Sequence, residues 1–247
     1  MILGTASWSE GPSERRALVA RLDGDRVADL SRIEAFRLRK LGEGRAETLA
    51  EALVPASLRL LLESGPRALQ RARQTFAYAE KWAKRGDLPE ILAPRREAVR
   101  LLPCLPRPAA LRTASGVRLD RLAILGPGAD LGSMPFATVA VAGLAGGRIG
   151  GWCLALEGVD RTVLGAWLSL EAPWAGKIEL ACGNQHRSAP LTAWEDLELP
   201  ELRPAEVCLL PPPRWKAVPE PERTASVELR APWEALQLRI RPTGTGT

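Results

Sequence analysis

The feature that most constrains the fold is a series of short apolar runs in the second half of the chain. Each run is the length of a strand, and turn-forming glycine or proline lies in many of the segments between them. Many short strands at close spacing favour a sandwich, a roll or a barrel over a doubly wound sheet. The runs are Arg118–Leu125, Phe136–Ala142, Trp152–Leu156, Ile178–Cys182, Val207–Leu210, Ser226–Leu229 and Leu236–Ile240.

The N-terminal segment predicts a β-hairpin. The runs Met1–Trp8, Ala17–Leu22 and Arg26–Leu30 are strand-like, and Asp23-Gly24 separates the last two. Asp-Gly between two such runs is a strong hairpin signal, because both central positions of the turn need a positive φ.

Two helical stretches follow the hairpin. Leucines at helical spacing predict a helix over 46–64, capped by Thr48 and divided by Pro55. A second helix is predicted over 68–85. Its basic side chains are interpreted as a solvated face: Arg71, Arg73, Lys81, Lys84 and Arg85. The prolines of 89–108 then predict an extended connector.

Composition excludes several classes of function. The chain has 247 residues, and none of its apolar runs reaches the roughly 18 uncharged residues of a membrane span. It has a single histidine, His186, so a metal site built from several histidines is impossible. The four cysteines form no C-x-x-C pair, and the N-terminal residues lack the basic and apolar segments of a secretory signal. Reduced, buried thiols and a cytoplasmic location are therefore expected.

Two short motifs invite a functional interpretation and do not support one. Gly143–Gly151 is glycine-rich but lacks the Gly-Lys-Ser/Thr ending of a phosphate loop, so a turn between strands is predicted. Cys182 lies four residues before His186, but no orienting acid can be identified, so a strand end with a polar loop is predicted.

The order of segments resembles the fumarylacetoacetate hydrolase superfamily. Arg26–Ser31 (RVADLS) looks like the family's first hairpin, and Asp120–Gly128 resembles the strand that carries its Glu-x-Glu pair. Each match is weak alone, and the series in the right order carries the resemblance. The other segments are Thr48–Leu53 with Leu60–Gly65, Arg100–Pro108, Gly151–Arg161, Leu202–Leu210 and Pro232–Gly244.

The resemblance implies a fold and a division of the chain. The fold is mainly β with a small α+β N-terminal part: a mixed β-roll preceded by a small domain of a hairpin and helices. Residues 1–99 would form the N-terminal domain, and residues 100–247 the β-roll domain.

The resemblance also implies a chemistry, which this sequence only partly keeps. Family enzymes hold Mg²⁺, Mn²⁺ or Ca²⁺ with carboxylates and act on 2-oxo acids or acylpyruvates. The two glutamates fall on Arg118 and Asp120, and the later metal aspartate falls on Glu157. A permanent guanidinium charge repels a divalent cation. No cofactor is therefore expected, with Mg²⁺ or Mn²⁺ bound only if Asp120 and Glu157 still act as ligands.

Other family positions have also changed. The arginine of the family's S-A-R-D motif is kept as Arg161, whereas its lysine falls on Ala166. The Gly-Thr of its anion-binding loop falls near Pro211-Pro212, and proline has no N–H to donate. The lid that carries histidine and glutamate has no counterpart, because only Thr113–Gly116 remain in its place.

Three hypotheses follow. The first is a degenerate, non-catalytic member that acts as a structural or regulatory subunit, as a homo-oligomer (a dimer, for example) or with an intact paralogue. In that case Arg118, Asp120, Glu157 and Arg161 would form a buried, balanced charge cluster. The second is an active hydrolase, decarboxylase or isomerase in which Arg118 and Arg161 bind substrate carboxylates.

The third hypothesis is an anion or nucleic-acid binder. Residues 1–110 hold 20 basic and 14 acidic side chains, and the net charge of the chain is +5. Nucleic-acid binding would need those arginines gathered on one face. The alternative explanation of the arginine excess is codon bias. Nucleic acid is therefore ranked last as a partner, and a membrane is not expected.

Overall fold

The computed structural model describes residues 1–23, 25–113, 118–119, 124–131, 136–157, 161–172, 175–182, 185–199, 201–211 and 225–240. The N-terminal part contains three strands followed by four helices. They are β1 (Ile2–Glu10), β2 (Ser13–Leu22), β3 (Arg26–Asp29), α1 (Leu30–Lys40), α2 (Ala46–Leu53), α3 (Leu58–Ser64) and α4 (Pro66–Lys84).

The rest of the described chain is almost entirely β. Its strands are β4 (Arg100–Leu101), β5 (Ala110–Thr113), β6 (Arg118–Leu119), β7 (Ile124–Leu125), β8 (Asp130–Leu131), β9 (Phe136–Leu144), β10 (Arg148–Glu157), β11 (Thr162–Leu164), β12 (Trp167–Ser169), β13 (Lys177–Cys182), β14 (Gln185–Pro190), β15 (Glu206–Leu209), β16 (Ala225–Ala231) and β17 (Glu234–Ile240). Short 3₁₀ turns occur at Glu90–Leu92, Arg96–Ala98 and Leu191–Trp194. The prediction of a mainly β protein is confirmed.

The strands form two sheets. The larger sheet has the order β3-β2-β1-β12-β10-β9-β15-β5-β6, with β4 on β1 and with β11 between β10 and β7. The smaller sheet has the order β14-β13-β16-β17-β8. Strand β1 pairs with β12, so the first hairpin belongs to the same sheet as the later strands. The domain boundary between residues 99 and 100 stays a prediction.

Chain connectivity shows that the large sheet curls into a roll. Strands β6 and β7 lie at opposite ends of the order β7-β11-β10-β9-β15-β5-β6. In a flat sheet they would be about 29 Å apart, at about 4.8 Å per strand. The chain from Leu119 to Ile124 spans at most about 18 Å. The two ends of the strand order must therefore curve toward each other.

The central strands are buried on both faces. On β9, Val139 and Val141 pack toward the small sheet, whereas Ala140 and Ala142 pack toward the helices. Strand β10 alternates in the same way, and Cys153 lies on the helix side. The four β9 side chains named here are small or β-branched and apolar, which suits a sheet covered on both faces. All four cysteines are buried and unpaired, as predicted.

The sequence did not predict helix α1, because the third predicted strand ran through Leu30, where the helix begins. The Asp29 carboxylate accepts a hydrogen bond from the Arg32 N–H at 3.1 Å and so caps the helix. The prediction that Thr48 caps the next helix is wrong, because α2 begins at Ala46 and its N-cap is Arg45. The predicted break at Pro55 is confirmed by the gap between α2 and α3.

A buried carboxylate joins α1 to α4. The Glu34 side chain is inaccessible to solvent and accepts hydrogen bonds from Arg37, Arg71 and Thr75. A buried charge is tolerated only when it is paired in this way. Arg71 is therefore a structural partner of Glu34, and its assignment to a solvated face is wrong.

No described helix is both long and apolar enough to cross a membrane.

Candidate functional site at the mouth of the roll

The sheet register brings the predicted site residues to one end of the roll. Glu157, at the end of β10, lies opposite Phe136 at the start of β9 and Thr162 at the start of β11. Thr162 in turn lies opposite Ile124 at the start of β7. The ends of β15 and β5 reach the same edge, since Leu209 lies opposite Thr113. We call this edge the mouth of the roll.

Glu157 is the one candidate metal ligand that the structure describes. Its carboxyl is half-buried and makes no hydrogen bond or ion pair with a described residue, and burial raises its pKa above the ordinary value. Its register partner Thr162 is fully buried, and the Thr162 Oγ1 has no hydrogen-bond partner among the described residues. Directly opposed residues of an antiparallel pair share a face of the sheet. Two neighbouring strands thus present polar groups without partners at the mouth.

The structure places the two candidate arginines differently. Arg118 on β6 lies opposite Arg112 on β5. The Arg112 guanidinium is itself neutralised, because its Nη2 lies 2.9 Å from an oxygen of buried Glu206. Arg161 precedes β11, is exposed and pairs with no described residue. A buried four-residue charge cluster is therefore wrong for Arg161, while Asp120 lies outside the described residues.

The family's lysine position has become part of the packing. Ala166 is buried, and its N–H donates to the Glu234 carboxyl at 2.5 Å. Beside the position of the family's anion-binding loop, the Pro211 carbonyl accepts a hydrogen bond from the Trp194 ring N–H at 2.8 Å. Residues 114–117 and 212–224 lie outside the described part, as does Trp215. Ala166 therefore offers no ammonium group, and Pro211 has no backbone N–H with which to bind an anion.

Among the candidate residues that the structure describes, Glu157 supplies the one carboxylate for a divalent cation. Within the described ranges, no three His, Cys, Asp or Glu side chains lie close enough to hold a metal ion. Mg²⁺ is often held by one or two protein carboxylates together with water molecules, and Glu157 supplies one carboxylate at the mouth. The sequence adds a second acid, Asp120. By the resemblance, it also places the positive charge of Arg118 at the position of the other family glutamate.

Sequence reasoning missed the buried carboxyl of Glu234 and its proximity to the Cys153 thiol. Glu234 on β17 accepts hydrogen bonds from the N–H groups of Ala166 and Trp167. Burial raises the pKa of its carboxyl to about 8. On β10, in the larger sheet, a hydrogen bond with Cys104 and burial raise the pKa of the Cys153 thiol. The spacing in sequence gives no signal for this proximity, because the residues are far apart along the chain.

The other motifs are explained by packing. Gly143–Gly151 spans the ends of β9 and β10 and the turn between them, as predicted, and not a phosphate loop. Cys182 is buried and lies opposite Gln185, whereas His186 is exposed. Burial raises the pKa of the Cys182 thiol, which disfavours the nucleophilic thiolate. The prediction of a strand end without catalytic chemistry is consistent with this arrangement.

A mixed sheet curled into a roll, with an N-terminal hairpin and helices on one side, defines the architectural class. The 5-carboxymethyl-2-hydroxymuconate delta-isomerase from Mycobacterium smegmatis shares this fold with a TM-score of 0.58 at 12% identity, over 98% of this chain and 100% of that one. The 2-hydroxyhepta-2,4-diene-1,7-dioate isomerase from Mycobacterium marinum gives 0.54 at 13% identity, over 99% and 100%.

A third similar structure contains a metal. It is 2-keto-3-deoxy-D-arabinonate dehydratase complexed with magnesium and 2,5-dioxopentanoate, with a TM-score of 0.53 at 10% identity over 98% of this chain and 99% of that one. No protein-family model matches the sequence, and no curated protein matches it either. The chain has the fold of the fumarylacetoacetate hydrolase superfamily, and the resemblance read from the sequence is confirmed at the level of the fold.

Proposed function

We propose that this chain is a divergent member of the superfamily that has lost metal-dependent catalysis and acts as a structural or regulatory subunit. The proposal rests on Arg118, which stands where the resemblance places a ligand carboxylate, on a strand of the same roll whose mouth holds Glu157. A fixed positive charge there opposes the binding of a divalent cation.

The proposal also covers the location and the partners of the protein. The subunit would work in the cytoplasm, as a homo-oligomer or beside an intact paralogue of the same superfamily. The resemblance supports this setting, and the reduced state of the four buried thiols is consistent with it. Light scattering on the purified chain, alone and mixed with such a paralogue, would measure the assembly.

Restoring the family carboxylate tests the proposal directly. The unaltered protein is expected to bind Mn²⁺ more weakly than about 1 mM, the weak end of protein calcium sites. Arg118→Glu should bind Mn²⁺ at least tenfold more tightly, because it removes a repelling cation and adds an oxygen ligand. Adding Glu157→Gln should abolish that gain. Titration followed by the electron paramagnetic resonance of free Mn²⁺ gives the Kd.

The matched control is Arg148→Glu, which makes the same change of charge at the opposite end of β10. It should leave Mn²⁺ binding unchanged. Tight binding by the unaltered protein that Asp120→Ala abolishes would contradict the proposal. So would an equal gain from Arg118→Glu and Arg148→Glu, since general electrostatic attraction would then explain it.

One observation favours a second candidate function, an active enzyme on 2-oxo acids or acylpyruvates. The exposed guanidinium of Arg161 has no partner among the described residues, and such a group can bind a carboxylate bidentately. In that case the protein would turn over oxaloacetate or an acylpyruvate, and Arg161→Gln would lower kcat/KM at least tenfold. Arg148→Gln is the control. Absence of turnover across a panel of 2-oxo acids would reject this candidate.

A further inference from the structure

A cavity of about 540 Å³ lies away from the mouth, where the N-terminal part meets the connector. Its walls come from the β1–β2 hairpin, from the segment that joins α2 to α3 with the start of α3, and from Pro106-Arg107. The volume falls within the range of small-molecule pockets. None of its lining residues is one of the candidate residues of the mouth. It touches both predicted domains, since Pro106-Arg107 follows residue 100.

The charge of the cavity is unbalanced. Three arginines line it, Arg16, Arg59 and Arg107, against the single carboxylate of Glu51. Arg59 is held by Glu63, with Nε 2.7 Å from the carboxylate oxygen. Arg16 and Arg107 make no ion pair or hydrogen bond with any described residue. Two guanidinium groups without partners therefore border one cavity.

The rest of the lining is largely apolar. Pro55, Ala56 and Leu58 form the side contributed by the α2–α3 segment, and Ala17 and Pro106 lie on the other elements. The backbone behind this side is fixed, because the Ala56 carbonyl accepts a hydrogen bond from the Leu18 N–H at 2.7 Å. Apolar walls with a few polar groups are typical of sites for organic ligands, whereas a bare inorganic anion gains nothing from them.

We propose that this cavity binds a small organic carboxylate with an aromatic or branched apolar body. The guanidinium groups of Arg16 and Arg107 hold the carboxylate by charge-assisted hydrogen bonds. The apolar body lies against Pro55, Ala56 and Leu58. A ligand in this place contacts the β1–β2 hairpin, the helical segment and the connector together. Its binding does not depend on the presence or absence of metal chemistry at the mouth.

Calorimetric titration of the full chain tests the proposal, with benzoate as the probe. Benzoate is expected to bind with a Kd of about 1 mM or tighter. Benzamide, which has the same shape without the charge, and inorganic phosphate, which has the charge without the apolar body, should each bind at least tenfold more weakly. Equal affinity for benzoate and phosphate would overturn the assignment of an organic ligand, and no benzoate binding would overturn the site.

Variants locate the binding. Arg16→Gln and Arg107→Gln should each weaken benzoate binding at least tenfold, and both side chains can change without loss of a described contact. Ala56→Trp should abolish binding by filling the cavity while both arginines remain. Arg73→Gln, on the exposed face of α4, is the control with the same loss of charge and should bind benzoate normally. An equal loss in Arg73→Gln, or normal binding by Ala56→Trp, would show that benzoate binds elsewhere.

Discussion

Replacing Glu234 by glutamine is expected to remove most of the pH dependence of stability between about pH 5 and pH 9. The carboxyl is buried, one oxygen accepts from the N–H groups of Ala166 and Trp167, and the other has no partner among the described residues. Burial raises its pKa from 4.5 to about 8. The folded state therefore binds this proton more tightly than the unfolded state does.

The sign follows from the number of protons bound. Between pH 4.5 and about 8 the folded protein keeps the proton and the unfolded chain releases it, so the free energy of unfolding falls as the pH rises. The contribution is fully present below pH 4.5 and is lost as the pH passes through about 8. The shift corresponds to a ceiling of ~5 kcal/mol. Part of it is offset wherever water or a rearranged side chain solvates the carboxylate.

Urea unfolding at a series of pH values measures the effect. Glu234→Gln should match the unaltered protein near pH 5 and exceed its free energy of unfolding by several kcal/mol near pH 9. Glu195→Gln, an exposed change on the same protein, should follow the unaltered curve at every pH. Parallel curves for Glu234→Gln and the unaltered protein would show that the carboxyl is solvated in the folded state.

The strands that the sequence predicted are those with an apolar pattern of their own. β9, β10 and β13 each carry a run of apolar residues long enough to be recognised alone. β11 and β12 have three residues each, and β14 is largely polar, as QHRSAP. These strands exist because a neighbouring strand supplies the hydrogen bonds, and local propensity does not record such a neighbour.

Side-chain contacts could likewise be predicted where the signal is local in sequence, and not where the partner is distant. The capping role of Asp29 could have been found, because an acidic residue before an amphipathic segment is a local signal. The pairing of Arg71 with Glu34 and the contact of Glu234 with Ala166 could not, because they join residues 37 and 68 positions apart. At the mouth, the resemblance to the superfamily named Glu157 and Arg161, and only the fold could show that one is half-buried and the other exposed.

Gly143→Ala is expected to destabilise the protein by about 3 kcal/mol or more, at the upper end of the cost of overpacking. A Cβ at Gly143 would contact the backbone carbonyl oxygen of Arg203 and lie 2.8 Å from the Leu202 Cβ. That backbone cannot move aside easily, because the Ala205 N–H donates to the Gly143 carbonyl at 2.9 Å. Ala205 already has a φ of 56°, so the turn leading into β15 is constrained on both sides.

Two other glycines separate lack of space from backbone conformation. Gly146, in the same glycine-rich segment, has a φ of 89° and no atom within 4 Å of a Cβ, so Gly146→Ala should cost about 1 kcal/mol. Gly44 has neither a close neighbour nor a positive φ, so Gly44→Ala should change stability by less than about 0.5 kcal/mol. Urea denaturation of the three variants gives the order. A loss of stability in Gly143→Ala no larger than that in Gly146→Ala would show that the turn before β15 moves to make room for the added methyl group. The glycine at 143 would then serve the bend of the hairpin and not the packing of β9 against that turn.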